Sequence, residues 1–385
     1  MNNNENIEIT EEIKVEQEEK ENKKRREWYG IPLFAWVLYA IAAFAIVVML
    51  VYVFSEDFAN FYNRYPAAFL RAALALITSI LPCSLGEALV IFAPVLLVFI
   101  IVYANKHYTK NWLEVGRFIF ISLSVVSIFF TTFALNFGAG YHTSSVDKLL
   151  ELDRKNVSAA ELRETAEYLV EEINKYTDSL GIREDGFSVM PYGYDTLSRK
   201  LVEAYDKVCD EYSFISRFPS RVKPVMLSEP WTYTHISGVY TYYTGEANIN
   251  TNFPDYTLPY TAAHEMAHQR GIAREDEANF VAFLVCIASD DEYIRYSGYL
   301  NLYDYVSSAL YSADKQAYTE VSKKLSPIAR KEKTAYSSFF SKYSENVAAN
   351  LTESVNNAYL TIQGTPGTKS YGMVVDLAVA YILGK

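Results

Sequence analysis

Residues 260–282 read YTAAHEMAHQRGIAREDEANFVA. His264 and His268 stand four apart, so on a helix both imidazoles leave one face a turn from each other. That spacing lets two ring nitrogens take adjacent corners of one tetrahedral zinc ion. Glu265 projects about 100° around the same helix, away from the ligand pair but within reach of a water at the metal, whose proton it can take. His-Glu-x-x-His is the arrangement of zinc hydrolases. The chain has only five His, and two of them fall in this pattern.

A catalytic zinc needs a third protein ligand and an open fourth position. Gly271, three residues past His268, is suited to end the helix in a left-handed turn. A second helical pattern then runs from Arg274 through Ala288. Two acids compete for the third position. Glu275 shares a helix face with the small residues Ala278, Asn279, Ala282 and Cys286, a face able to pack closely against the His helix. Glu277 points to the side of Phe280 and Leu284. Glu275 is the expected ligand and Glu277 the alternative, with Asn279 holding one imidazole from behind. Arg274 would pin Glu275, bind a substrate carboxylate, or simply solvate the helix start. Glu275 and Asp276 would in any case complement the helix dipole as first-turn acids.

His264-Glu265-x-x-His268 followed by Glu275-x-x-Ala278-Asn279 resembles the gluzincin signature, in which the downstream Glu is the third zinc ligand. The nearest patterns are those of the membrane-embedded and anti-repressor-cleaving zinc peptidases. The longer run GEANINTNFPDYTLPYTAAHEMAHQRGIAREDEANF, residues 245–280, resembles a bacterial membrane family known as domain of unknown function 3810, placed with the zinc peptidases. The resemblance implies a zincin-like metallopeptidase domain using Zn2+, without naming a substrate. One departure is visible: the interval from His268 to Glu275 is far shorter than in thermolysin-like enzymes.

Length and composition bound the elements that must position these groups. At 385 residues the chain holds one membrane region and one ordinary domain. A net charge of −11 gives no support for nucleic-acid binding. Cys83, Cys209 and Cys286 form no paired motif, so neither a disulfide framework nor a thiolate metal site is indicated. Residues 1–28 are polar and charge-dense, the composition of a disordered tail. Apolar stretches at about 31–54, 86–104 and 118–137 read as membrane spans, with Glu87 marking the interface at the start of the second. Lys23, Lys24, Arg25 and Arg26 precede the first, and Lys106, Lys110 and Arg117 lie between the others. Both basic groups read as cytoplasmic. The apolar stretch 67–81 carries Arg71 and is bounded by Pro66 and Pro82. If it crossed, the second basic loop would fall outside, so it reads as an interfacial or re-entrant helix. Residues 29–138 are then the membrane region, and 139–385 form an extracytoplasmic domain of a multi-pass protein whose partners are the lipid bilayer and a peptide or protein substrate.

Beyond 138 the pattern is α+β and mostly helical. Ser158 and Glu161 have capping-box spacing before Leu162, Ala166, Leu169 and Ile173. A second helix carries Leu197, Leu201, Ala204 and Val208. Residues 222–250 are rich in Val, Ile, Thr and Tyr and read as a small sheet. Ala247, Asn248 and Asn250 would form an edge strand that pairs with extended substrate, or an ordinary strand whose Asn residues cap turns. His235 and Tyr243 are candidate donors to the oxyanion. The expected chemistry is peptide hydrolysis at zinc held by His264, His268 and Glu275, with Glu265 as general base. The competing expectation is a non-catalytic zinc-binding sensor or scaffold at the outer membrane face, against which the intact Glu265 argues.

Overall fold

The computed structural model describes residues 30–108, 111–344 and 346–384. The tail expected at 1–28 lies outside the described residues. Five helices come first: α1 (Leu33–Phe54), α2 (Glu56–Arg64), α3 (Pro66–Ser79), α4 (Leu85–His107) and α5 (Trp112–Asn136). Three of them, α1, α4 and α5, are long and apolar enough to cross a membrane, which makes the chain membrane-associated. The third starts earlier than the apolar run at 118 because Asn111 Oδ1 accepts the Glu114 N–H at 3.0 Å and caps the extra turn.

The chain forms two compact units. The first takes in Phe92–Thr131 and the described part of Met1–Val47. Inside it the Tyr39 hydroxyl donates to the Phe120 carbonyl at 2.8 Å, and the Phe120 ring meets those of Trp36 and Tyr39. Its outward Val, Leu, Ile and Phe side chains are exposed, as lipid-facing positions are.

The second unit comprises Val48–Ile91 and Thr132–Lys385. It therefore includes α2 and α3 together with the domain expected from 139 onward. Its remaining helices are α6 (Val146–Leu149), α7 (Ala159–Tyr176), α8 (Tyr194–Glu211), α9 (Ser228–Thr232), α10 (Leu258–Gln269), α11 (Glu275–Ala288), α12 (Glu292–Ala313), α13 (Lys315–Ser322), α14 (Pro327–Ser341), α15 (Val347–Ile362) and α16 (Val374–Ile382). The capping box expected at the start of α7 is present: Ser158 N–H reaches Glu161 Oε2 at 2.9 Å, and Ser158 Oγ accepts from Glu161 N–H. The apolar stripes of α7 and α8 close on α10, α11, α12 and α16 in one core.

Three short strands, β1 (Val222–Pro224), β2 (Gly238–Thr241) and β3 (Glu246–Ile249), form the sheet in the order β1-β3-β2. β3 runs parallel to β1 and antiparallel to β2. This corrects the edge-strand expectation for Ala247, Asn248 and Asn250. β3 is the central strand, its main chain is committed on both sides, and the outer strands are β1 and β2.

Helix α3 is not a peripheral apolar segment. Arg71 is fully buried and donates through Nη1 to Asn63 Oδ1 at 2.9 Å and to the Asn136 carbonyl at 2.6 Å, and through Nη2 to the Asn63 carbonyl at 2.7 Å. A second buried cation fastens the sheet. Lys223 of β1 donates to Glu246 of β3 and to the carbonyls of Thr78 and Cys83, while Glu246 accepts the Leu85 and Gly86 N–H groups that open α4. A carboxylate suits a helix N-terminus, where backbone donors lack intrahelical partners.

Candidate metal centre

Every residue of α10 is buried. Ala262, Ala263 and Ala267 give the helix a narrow profile that lets α11 and the sheet approach closely. Its end is fixed by a Schellman turn: Ile272 N–H donates to the Ala267 carbonyl at 3.1 Å and Gly271 N–H to the His268 carbonyl at 2.9 Å. Gly271 has φ +97°, and a Cβ there would lie 2.4 Å from Arg71 Nη2. Glycine is required by both the backbone and the space.

The same turn orients a ligand. His268 Nδ1 lies 2.7 Å from the Ile272 carbonyl, which can only accept, so Nδ1 carries the proton and Nε2 presents its lone pair. Glu275, the first residue of α11, brings Oε2 within 3.2 Å of His264 Nε2 and 3.3 Å of His268 Nε2. Yet this buried oxygen is aligned for a hydrogen bond with neither, and His264 Nδ1 is likewise without a partner. Three potential ligand atoms thus converge. Ligand atoms about 2.0–2.1 Å from a tetrahedral zinc stand about 3.3–3.4 Å apart, close to the two separations of Glu275 Oε2 from the imidazole nitrogens. His264, His268 and Glu275 therefore fit a metal ion, with their ligand atoms all within 4.8 Å of one another.

The electrostatics are those of a buried, coupled group. Burial alone would raise Glu275, but the two imidazoles hold it well below the usual carboxylate range. Burial would lower His268, whereas the carboxylates of Glu275 and Glu265 lift it to about 9. Glu265 is pushed up to about 6 by burial, against the pull of the neighbouring imidazoles.

The first turn of α11 sorts its three acids. Asp276 pairs with Arg154 at 2.7 Å. Glu277 takes Arg274 at 2.9 Å and the Val146 N–H at 3.0 Å. Glu275 is left to face the imidazoles. Glu277 is thus held away from the cluster, and Arg274, which also donates to the Tyr141 and Thr143 carbonyls, neither pins Glu275 nor is free for substrate. The i,i+3 spacing of Arg274 and Glu277 was the sequence signal that separates the two acids.

Glu265 lies against β2. The Tyr240 backbone N–H hydrogen-bonds its carboxylate, and a Cβ on Gly238 would come within 2.7 Å of Oε1. Beside it opens a cleft of about 1210 Å³ walled by aromatic rings, among them Tyr141, Tyr305, Tyr359 and Tyr371. The Tyr371 hydroxyl sits within electrostatic reach of both Glu275 and Glu265 and receives Asn356 Nδ2 at 3.3 Å. Sequence reasoning missed Tyr141, Tyr305 and Tyr371. They come from separate segments, and with 32 Tyr in the chain nothing in their spacing marks them.

Other expected site residues have structural duties. Asn248 Nδ2 bonds the Val239 and Glu246 carbonyls, and Asn250 Nδ2 bonds the Ile236 carbonyl and Thr232 Oγ1. Ala247 is buried within the sheet. Asn279 holds no imidazole; it lines the cleft and donates to the Tyr371 carbonyl at 3.4 Å. His235 reaches the cleft wall, but its Nε2 is engaged with the Tyr343 carbonyl. Tyr243 packs its ring against Tyr242, outside the residues that line the cleft.

Fold and cluster together define a mostly helical, membrane-associated protein with a buried His–His–Glu group able to hold a metal ion. The chain belongs to the family described as Protein of unknown function (DUF3810), whose model matches residues 62–379. No curated protein and no solved structure matches it.

Proposed function

We propose that the protein is a membrane-anchored, zinc-dependent peptidase of the gluzincin type, its N-terminus cytoplasmic and its peptidase domain extracytoplasmic. The observation that carries this reading is the buried Glu275 Oε2, 3.2 and 3.3 Å from two imidazole nitrogens of one helix face. Two imidazoles and one carboxylate are the donor set of catalytic zinc sites that keep a position open. Zinc held there by His264, His268 and Glu275 would polarise a carbonyl and lower the pKa of a bound water.

The chain's own residues supply the rest. Glu265, held by the Tyr240 N–H, takes the proton of the attacking water and passes it to the leaving amine. Its raised pKa, about 6, suits a group that must both accept and return a proton near neutrality. The outer edge of β2 offers main-chain groups to an extended peptide, the role first expected of Ala247, Asn248 and Asn250. The Tyr371 phenol is the donor best placed for the developing oxyanion. Aromatic walls exclude water and favour apolar side chains around the scissile bond.

The test uses the full chain in detergent or nanodiscs, incubated with unstructured protein and peptide libraries. Hydrolysis that a chelator stops and Zn2+ restores supports the reading. A zinc-loaded, folded protein that cleaves none of these substrates would point instead to the non-catalytic scaffold.

A further inference from the structure

Helix α3 is built inside out. Its buried face carries Ala67, Arg71, Ala75 and Thr78, three or four residues apart. Arg71, the one charged residue of Pro66–Ser79, lies on that face. The opposite face is Phe69, Leu76 and Ile77, continued by the C-cap residue Ile80, with Phe69 73% and Ile80 81% exposed. A helix at the surface of a water-soluble domain turns its apolar stripe inward and its polar one out, and α3 does the reverse. Its hydroxyls are also spent within the helix. Thr78 Oγ1 donates to the Leu74 carbonyl at 2.9 Å and Ser79 Oγ to the Leu76 carbonyl at 2.7 Å. The outer face thus presents neither a charge nor a free hydroxyl donor, as a surface against lipid requires.

The same compact unit says what covers this face. It holds one end of each membrane-length segment: residues 48–54 of α1, 85–91 of α4 and 132–136 of α5. Helices α2 and α3 are bonded to all three. Arg71 donates to the carbonyl of Asn136, the last residue of α5, and the Tyr62 hydroxyl to the Leu135 carbonyl at 3.1 Å. The Tyr62 ring lies 6.2 Å from that of Tyr52 in α1. Lys223 ties the Thr78 carbonyl of α3 to the Cys83 carbonyl just before α4. Phe54, Leu89 and Val90 on these span ends are exposed apolar residues like those of α3. Beside α4, Met226 and Leu227 give their N–H groups to the Glu87 carboxylate at 2.9 and 2.8 Å and leave both side chains exposed. We infer that the outer face of α3, together with Met226 and Leu227, lies in the lipid at the membrane interface. At 14 residues, about 21 Å, α3 is too short to cross a hydrocarbon core of about 30 Å and lies along its boundary. Arg71 Nη2 also reaches the Arg270 carbonyl at 3.4 Å, so the turn between His268 and Glu275 is braced on a lipid-held helix.

The experiment uses the full chain with Cys83→Ser and Cys209→Ser, keeping the buried Cys286, in phosphatidylcholine vesicles. A polarity-sensitive fluorophore is attached at Phe69→Cys, Ile77→Cys, Ile80→Cys or Met226→Cys. Val90→Cys in α4 is the lipid reference and Thr319→Cys, exposed on α13, the water reference. Phosphatidylcholine brominated near the headgroup end of its chains should quench the four test labels severalfold more than the Thr319 label, and more than lipid brominated near the chain ends does. Four positions are used so that loss of one variant leaves the comparison intact. Test labels quenched no more than the Thr319 label overturn the inference, as does a Val90 label that lipid does not quench. Test labels that are blue-shifted but unquenched also overturn it, because protein rather than lipid would then cover the face. Stronger quenching by chain-end bromine overturns the interfacial placement. None of these readouts depends on bound metal or on turnover.

Discussion

The Asn63 side-chain amide donates to the Gly271 carbonyl at 3.0 Å across 208 residues. A helix that precedes two of the three membrane-length segments thus holds the turn between His268 and Glu275. The same Asn63 accepts from Arg71, whose guanidinium fills the space that a side chain at position 271 would need. The turn between His268 and Glu275 is thus held in part by the chain between the first and second membrane-length segments.

Asn63→Ala removes both contacts and leaves a buried carbonyl and a buried cation short of partners. The expected cost is about 1–3 kcal/mol. Melting of the full chain should drop by several degrees, and zinc should dissociate faster. Unchanged melting and zinc off-rate would mean that the turn is held by other groups.

Gly238→Ala puts a Cβ 2.7 Å from Glu265 Oε1 and 2.8 Å from Thr261 Cγ2. The carboxylate must move while His264, His268 and Glu275 are untouched. Misplacing a catalytic group by about 1 Å can cost about 100-fold in rate. Turnover should fall at least tenfold with a full complement of zinc. Wild-type turnover in the variant would remove Glu265 from the proposed chemistry.

Lys223→Met strands Glu246 in the interior without its cation. Removing one partner of a buried ion pair costs about 3–5 kcal/mol, more than the pair itself contributes. Adding Glu246→Gln to Lys223→Met should recover part of that loss, because the remaining amide is uncharged, although its single oxygen keeps only one of the two bonds that the carboxylate oxygens accept from the Leu85 and Gly86 N–H groups. Thermal melts of the single and double variants decide it. A double variant no more stable than the single one would show that the lost charge was not the cause.

Glu332 gives a pH dependence away from the metal cluster. Burial raises its pKa above the ordinary value, despite hydrogen bonds from Ser188 and Tyr296. A raised folded-state value means the folded protein binds the proton more tightly than the unfolded chain does. This contribution is therefore full below the ordinary carboxylate pKa and is lost as pH rises through the folded one. Glu332→Gln should flatten the melting-temperature profile above pH 4.5 relative to wild type. Parallel profiles for the two proteins would contradict the assignment.

Which parts of this could be read from sequence follows from range. His264, His268, Gly271 and Glu275 lie within one helix, its terminal turn and the next helix start, so local periodicity and turn chemistry were enough to bring them together. The capping box before α7 was legible for the same reason. The strand order was not, because four-residue strands carry no pattern that names their neighbours; β3 was therefore expected at the edge. Helix α15 escaped notice because apolar residues occupy both its inward and its outward ridge, which blurs a single amphipathic stripe. Arg71 read as a charge within an apolar segment, and only the fold reveals the backbone carbonyls waiting for it.

The most direct test of the account is the zinc content of the purified full chain beside Glu275→Ala and Glu277→Gln. One zinc per chain is expected in wild type and in Glu277→Gln, and zinc lost from Glu275→Ala while the variant remains folded. Stoichiometric, tightly held zinc in Glu275→Ala, or loss of zinc only from a folded Glu277→Gln, would contradict it.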